Sequence, residues 1–301
     1  MDAVSFLCCL VALTCWGLAP VAYRYCGSAF SPLKMQALRS VGFFASAAAA
    51  LAFLPWVSLW PGWLHCAVLI GTSLLTFLVG DTLYFKCIAT IGAGKAAALT
   101  NTYPVYVVAL SWLFMDEGLS GMGLLGVLVI AVGMALLCLF KDTSGGASDG
   151  GDQPVSAGLL TGIVAGICWG IGQAAVRWTF LNSPLGPAEV TFWRAAAVIF
   201  SSLPQYATAR RRQTEQAPFF GPDRARAAVM IFTGFFVLTL PGWLVASAMQ
   251  RVPASIVSPV TGSSPMVAAL FSALLFREKI APMQWLGIFM IIGGGAMVSL
   301  L

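Results

Sequence analysis

The stretch CWGLAPVAYR (residues 15–24) returns as CWGIGQAAVR (residues 168–177), half a chain later. Cys15, Trp16, Gly17 and Arg24 match Cys168, Trp169, Gly170 and Arg177 at one constant spacing. Further along, Ala93, Pro104, Glu117, Gly126 and Gly133 match Ala254, Pro265, Glu278, Gly287 and Gly294 at a second constant spacing. A run of ordered matches with a single shift in spacing marks a duplication.

The duplicated unit is built for lipid. Of 301 residues, 59% are hydrophobic and only 9% charged, with mean hydropathy +0.89. A soluble domain carries about a quarter charged residues, so this chain has too little charge to cover a water-facing surface. Apolar runs long enough for a bilayer, about 20 residues each, fall at 3–24, 33–54, 64–88, 94–114, 121–140, 156–181, 188–208, 226–249, 254–275 and 282–301. They are continuous rather than alternating, which predicts helices and not strands. Turn chemistry separates them, as in GSAFSP, IGAGK, NSPLGP and REKIAP. KDTSGGASDGGDQP (141–154) reads as a flexible linker, and ARRRQTEQAPFFGPDRAR (209–226) as a charged surface loop.

The predicted fold is therefore all-α and integral to a membrane, with ten transmembrane helices. Residues 1–140 form one five-helix repeat, 141–155 the linker and 156–301 the second repeat. Five is odd, so the second copy enters the membrane from the opposite side. Inverted repeats place a solute site near the midplane and allow alternating access around it.

The basic residues, net +5, lie between the apolar runs, where they orient a membrane protein rather than bind nucleic acid. Eight cysteines without C-x-x-C spacing and one histidine, His65, leave no metal site. The glycines at 158, 162, 166 and 170 follow no strand, which excludes a nucleotide loop and leaves close helix packing. No cofactor is expected. MDAVSFLCCL carries an acid where a signal peptide has a basic region.

The CWG segments, MQALRSVGFF (35–44), GDTLYFKCIATIGAGKAAALTNTYPVYVVALSWLFMDEG (80–118) and ASAMQRVPASIVSPVTGSSPMVAALFSALLFREK (246–279) together resemble the EamA-type drug/metabolite transporters. The resemblance covers both halves. It implies a ten-helix carrier of small metabolites, amino acids among them, in an inner or plasma membrane. It also implies cytoplasmic termini. The loops and flanks after odd-numbered spans hold thirteen of the sixteen Lys and Arg, which predicts the opposite orientation.

Candidate working residues follow from position. Trp16, Pro20 and Arg24 recur every fourth residue, as do Trp169, Gln173 and Arg177, so each set shares a helix face. The tryptophans either wall a cavity or join an interfacial belt; lying more than ten residues inside their spans argues against the belt. Arg24 and Arg177 either reach headgroups or ion pairs, or hold anionic groups at opposite mouths. Arg39 and Arg194 open spans two and seven, where they pair with headgroups or close gates.

Asp81 lies mid-span, at a cost of ~2.5–3.5 kcal/mol. Pairing with an arginine such as Arg39 ranks first among its uses, ahead of proton coupling or ammonium binding. Tyr84 shares its face, and its counterpart in the second half is Gly242. Lys86 is expected at an interface. Pro104 and Pro265 break spans four and nine, and Asn101, Tyr103, Thr261 and Ser263 lie beside the breaks, where freed carbonyls can face a cavity. Trp243 and Gln250 share a face of span eight. Glu117 and Glu278 read as polar helix ends or caps.

These residues predict a secondary, non-ATP transporter with a central pocket between spans 1, 3, 4, 6, 8 and 9. Its partners are the bilayer and a small solute, and a monomer is expected. An intramembrane enzyme would need a nucleophile–base pair or metal ligands at depth. A purely structural membrane protein would need neither Asp81 nor the paired prolines.

Overall fold

The computed structural model describes residues 1–27, 29–53, 58–91, 93–139, 155–212, 219–220, 223–276 and 280–299. The predicted linker (141–154) and Glu278 lie outside them, as does the side chain of Arg24. The described regular structure is helical throughout. In the first half α1 is Ala3–Gly27, α2 Pro32–Phe53, α3 Trp63–Ser73, α4 Asp81–Ile91, α5 Ala93–Thr100, α6 Tyr103–Met115 and α7 Gly121–Leu139. In the second, α8 is Val155–Asn182, α9 Pro187–Arg211, α10 Arg224–Thr233, α11 Leu240–Arg251, α12 Ala254–Thr261, α13 Ser264–Phe276 and α14 Pro282–Ser299. A wide-turn π segment, π1 (Leu74–Gly80), joins α3 to α4, and π2 (Gly234–Thr239) joins α10 to α11.

Each predicted run coincides with one helix or one interrupted pair. Five stretches are long and apolar enough to cross a bilayer: Pro32–Phe53, Trp63–Ile88, Ser156–Asn182, Arg224–Arg251 and Ala254–Phe271. Ala3–Ala19, Tyr103–Met115, Gly121–Leu136 and Pro282–Val298 are shorter apolar helices. Trp112, Phe114, Phe200 and Leu274 are largely exposed, an apolar outer surface suited to lipid.

The interruptions fall at matching places. Pro104 and Pro265 are each the second residue of a restarting helix, α6 and α13, where the missing N–H is an orphan anyway. The carbonyl freed by Pro104 is that of Thr100. Thr100 O faces α8, 3.2 Å from where a Gly166 side chain would begin.

The repeated glycine of each CWG does the same work twice. A Cβ on Gly17 would meet Ser264 O at 2.9 Å and Val267 at 2.8 Å. A Cβ on Gly170 would meet Tyr103 O at 3.1 Å and Tyr106 at 2.8 Å. Ser264 and Val267 are the counterparts of Tyr103 and Tyr106. Each glycine thus lets its helix lie directly on the restart of the other half's broken helix.

α7 and α14 show the same exchange. Gly126 abuts Gly294 and Gly133 abuts Gly287, so the two helices run antiparallel with each glycine facing the counterpart of the other. The larger packing follows suit. α1 packs on α11 and α13, α8 on α4 and α6, and α2 lies along α9.

Candidate functional site

Asp81 begins α4 directly after π1. It is buried and accepts from two directions: from Arg39 on α2, with which it forms an ion pair, and from Trp169 Nε1 on α8 at 3.1 Å. Arg39 also donates to Tyr23 Oη of α1 at 2.8 Å and to Gln36 Oε1. Gln36 Nε2 donates to Phe77 O in π1 at 3.2 Å. The Tyr84 ring meets Trp169 edge-on at 5.2 Å. Gly80 permits this approach, since a Cβ there would lie 3.0 Å from the Trp169 ring. One buried polar cluster thereby ties α1, α2, π1, α4 and α8.

The first-ranked use of Asp81, an arginine pair, is what the structure contains. The expectation that Arg39 and Arg194 pair with headgroups is corrected, because both are buried. Each lies about two turns inside its helix, and its burial there, not the depth alone, removes it from the interface. The two arginines are counterparts, but Asp81 is matched by Gly242, and Arg194 pairs with no carboxylate among the described residues. Its guanidinium lies over the Phe77 ring at 5.0 Å instead. The tryptophans diverge for the same reason. Trp16 Nε1 donates to Val237 O of π2 at 2.9 Å, where Trp169 finds Asp81. Thr239 braces π2, donating to Gly234 O and Phe43 O and meeting Ser46 Oγ at 2.6 Å.

A second cluster stands toward one end. Arg177 does not reach for headgroups: its Nε donates to Glu117 Oε1 at 2.6 Å, and its Nη1 to Met249 O at 2.6 Å. Glu117 Oε2 also accepts the Ala254 amide at 3.4 Å. The sequence reads Glu117 as a polar helix end or a cap; it accepts the first amide of α12 and is also the centre of a clamp joining the end of α6, α8, α11 and the start of α12. Beside it Cys9, Leu13, Val176, Val245, Met249 and Val257 form a buried apolar plug. Arg24, the counterpart of Arg177, has no described side chain.

The remaining candidates divide. Tyr103 Oη and Thr261 Oγ1 meet at 3.1 Å between α6 and α12, and Asn101 Nδ2 and Ser263 Oγ bond carbonyls of the helices that end just before them, α5 and α12. Gln173 Oε1 is sealed without a partner. Gln250 is exposed, as is Lys86. Trp243 does not face the clusters around Trp169. It lines a cavity of about 300 Å³ between α2, α9, π2 and α11, together with Ser46, Thr191 and Thr239.

Sequence reasoning missed Tyr23, Gln36, Thr76 and Thr239. Gln36 stands one turn before Arg39 on the same face, a polar pair in an apolar run and therefore a legible signal. The two threonines act on irregular backbone, which no periodicity announces.

These elements define a polytopic helical membrane protein made of two homologous halves. The chain belongs to the EamA-like transporter family, whose model matches residues 4–139 and again 156–300. It is thus a membrane transporter of the drug/metabolite type. An uncharacterized transporter of Archaeoglobus fulgidus is 26% identical over 297 residues, covering 96% of this chain and 95% of that protein. One from Synechocystis is 24% identical over 288 residues, covering 91% and 83%. The fold is that of a solved crystal structure with 17% identity and TM-score 0.74, covering 100% of this chain and 98% of the other.

Proposed function

We propose that the chain is a ten-span carrier with two inverted five-helix repeats, moving a small metabolite by alternating access. The residues 1–140 and 156–301 are the repeats, and the setting is a cell inner or plasma membrane. The observation that carries this reading is the reciprocal glycine contact of α7 and α14: equivalent helices run antiparallel, as a two-fold axis in the membrane plane requires. The matched seating of Gly17 and Gly170 supports the same axis.

A perfectly two-fold molecule would be closed equally at both ends, and this one is not. α6 packs on α12, α8 on α11 and α12, and α9 on α11, around the Glu117–Arg177 clamp. Among the described residues the counterpart packings are at most grazing. This supports a conformation closed at the clamp end. The polar cluster of Tyr23, Arg39, Asp81, Tyr84 and Trp169 then lies on the side away from the clamp.

Reconstituted protein tests the reading. Proteoliposomes should take up a labelled amino acid or related metabolite without ATP and without altering it, and Trp169→Ala should remove at least nine-tenths of the rate. Conversion of the solute to product would replace the carrier by an enzyme. Failure of an amino-acid and metabolite panel to cross, with folded protein, would refute it.

A further inference from the structure

Arg39 and Arg194 enter the protein from opposite ends, and both converge on π1. Arg39 bonds Gln36, which holds the Phe77 carbonyl, and Arg194 lies over the Phe77 ring. Phe77 sits at the centre of the rod Trp63–Ile91, ~20 Å from either end at 1.5 Å per residue. Both arginines therefore approach the middle of this rod, and Asp81 lies one turn past Phe77 on it. Asp81 is spent on Arg39 and Trp169.

Arg194 is left with a charge and no acceptor. It is nine-tenths buried and donates no hydrogen bond among the described residues. About a tenth of the residue's surface stays accessible. Thr191, one turn back on the same face of α9, stands in the wall of the 300 Å³ cavity. Arginine cannot escape by losing its proton. A buried cation without a partner is costly, and such residues inside membranes pair or mark a solute path.

We infer that Arg194 binds the carboxylate of the transported solute near the membrane midplane. This rests on the carrier reading above. Arg194 lies over the Phe77 ring, and its N–H fork finds no acceptor among the described residues, which suits a planar, bidentate ligand. The charge balance favours a monoanionic group. Arg39, Asp81 and Arg194 sum to one positive charge; a carboxylate cancels it, whereas a doubly charged phosphate overshoots.

Phenylglyoxal, which derivatises unpaired arginines, tests this on the purified full chain in neutral detergent. Peptide mass spectrometry should find Arg194 modified and the ion-paired Arg39 and Arg177 much less so. Millimolar acetate or L-alanine should protect Arg194 at least fivefold, and chloride and inorganic phosphate should not. Arg194→Gln should abolish the rise in Tm caused by the same carboxylate, and Arg194→Lys should retain part of it. Lack of protection, or protection by chloride or phosphate alone, overturns the inference. So does protection by added phosphatidylglycerol but not by free carboxylates, which would assign Arg194 to a lipid headgroup. Uptake of a carboxylate solute that survives Arg194→Gln sinks the inference and leaves the carrier standing. Carboxylate protection without uptake of any solute does the reverse.

Discussion

Removing one partner of the Arg39–Asp81 pair should cost very differently according to which partner goes and at what pH. In Arg39→Met the abandoned Asp81 carboxyl can neutralise itself by taking a proton. For a carboxyl with solution pKa about 3.9 that costs at most about 4 kcal/mol at pH 7, at 1.36 kcal/mol per unit. In Asp81→Leu the abandoned guanidinium has no comparable escape. The loss of a buried charge partner costs about 3–5 kcal/mol, and the orphaned Trp169 N–H adds about 1–3 kcal/mol. Both are large against a stability of about 5–15 kcal/mol. The sign of the pH effect separates them. In Arg39→Met the folded state binds a proton that the unfolded state does not hold between pH 7 and about 4. Stability therefore rises as pH falls, by about 1.4 kcal/mol per unit. Asp81→Leu lacks that proton and gains nothing relative to the wild type. The double variant Arg39→Met/Asp81→Leu removes both charges and should lose about 3 kcal/mol less than the sum of the singles. Equilibrium unfolding in mixed SDS and dodecyl maltoside micelles, followed by helical circular dichroism at pH 7 and pH 5, measures all four corners. Additive losses, or a flat pH response of Arg39→Met, would refute the claim that the pair is buried and mutually dependent.

Two further outcomes follow from the packing. Gly17→Val and Gly170→Val should each destabilise by about 1–3 kcal/mol through overpacking, while Gly293→Ala, which meets nothing within 4 Å, should not; equal behaviour of all three in the same unfolding assay would dismiss the twin crossings. Glu117→Gln should loosen the clamp, so that Cys9, fully buried in the plug and kept as the lone cysteine, reacts with maleimide at least tenfold faster; an unchanged labelling rate would deny the clamp its closing role.

The helices were legible in the sequence because bilayer length and continuous hydrophobicity leave few other options. Pro104 and Pro265 marked the two broken rods, and the doubled CWG marked the halves. The π segments were not legible. They depend on Thr76 donating to Cys168 O at 3.3 Å and on Thr239 bracing Gly234 O and Phe43 O, tertiary bonds with no periodic trace. Asp81 was legible as an expensive residue needing a partner, and Arg39 as that partner. The burial of Arg194 was not, since a basic residue seven positions into a helix can equally rise to a headgroup; only the Phe77 ring and the packed α2–α9 seam decide it. Glu117 was underestimated because its partners, Arg177 and the Ala254 amide, come from the other half of the chain.

The pattern of what repeats and what does not is itself mechanistic. Glycines repeat: Gly17 with Gly170, Gly126 with Gly287, Gly133 with Gly294. They set how closely helices cross, and a molecule that exchanges two closures needs both ends to be built to the same tolerance. A gap of a few kcal/mol between the two states already leaves one of them at 0.1–10%. Charges break the repeat: the counterpart of Asp81 is Gly242, so Arg39 is neutralised and Arg194 is not. A site with full two-fold symmetry would offer a solute the same chemistry from both sides, and could not tell one end of a small asymmetric molecule from the other. With one guanidinium spent and one free, the midplane gains a direction. On the proposed reading, a carboxylate at Arg194 would cancel the same charge whichever end is closed, and so would add little to the barrier between the two closures. On the proposed alternating-access reading, the duplicated glycines would keep the closures balanced in energy, and the single unmatched aspartate would give the solute its orientation.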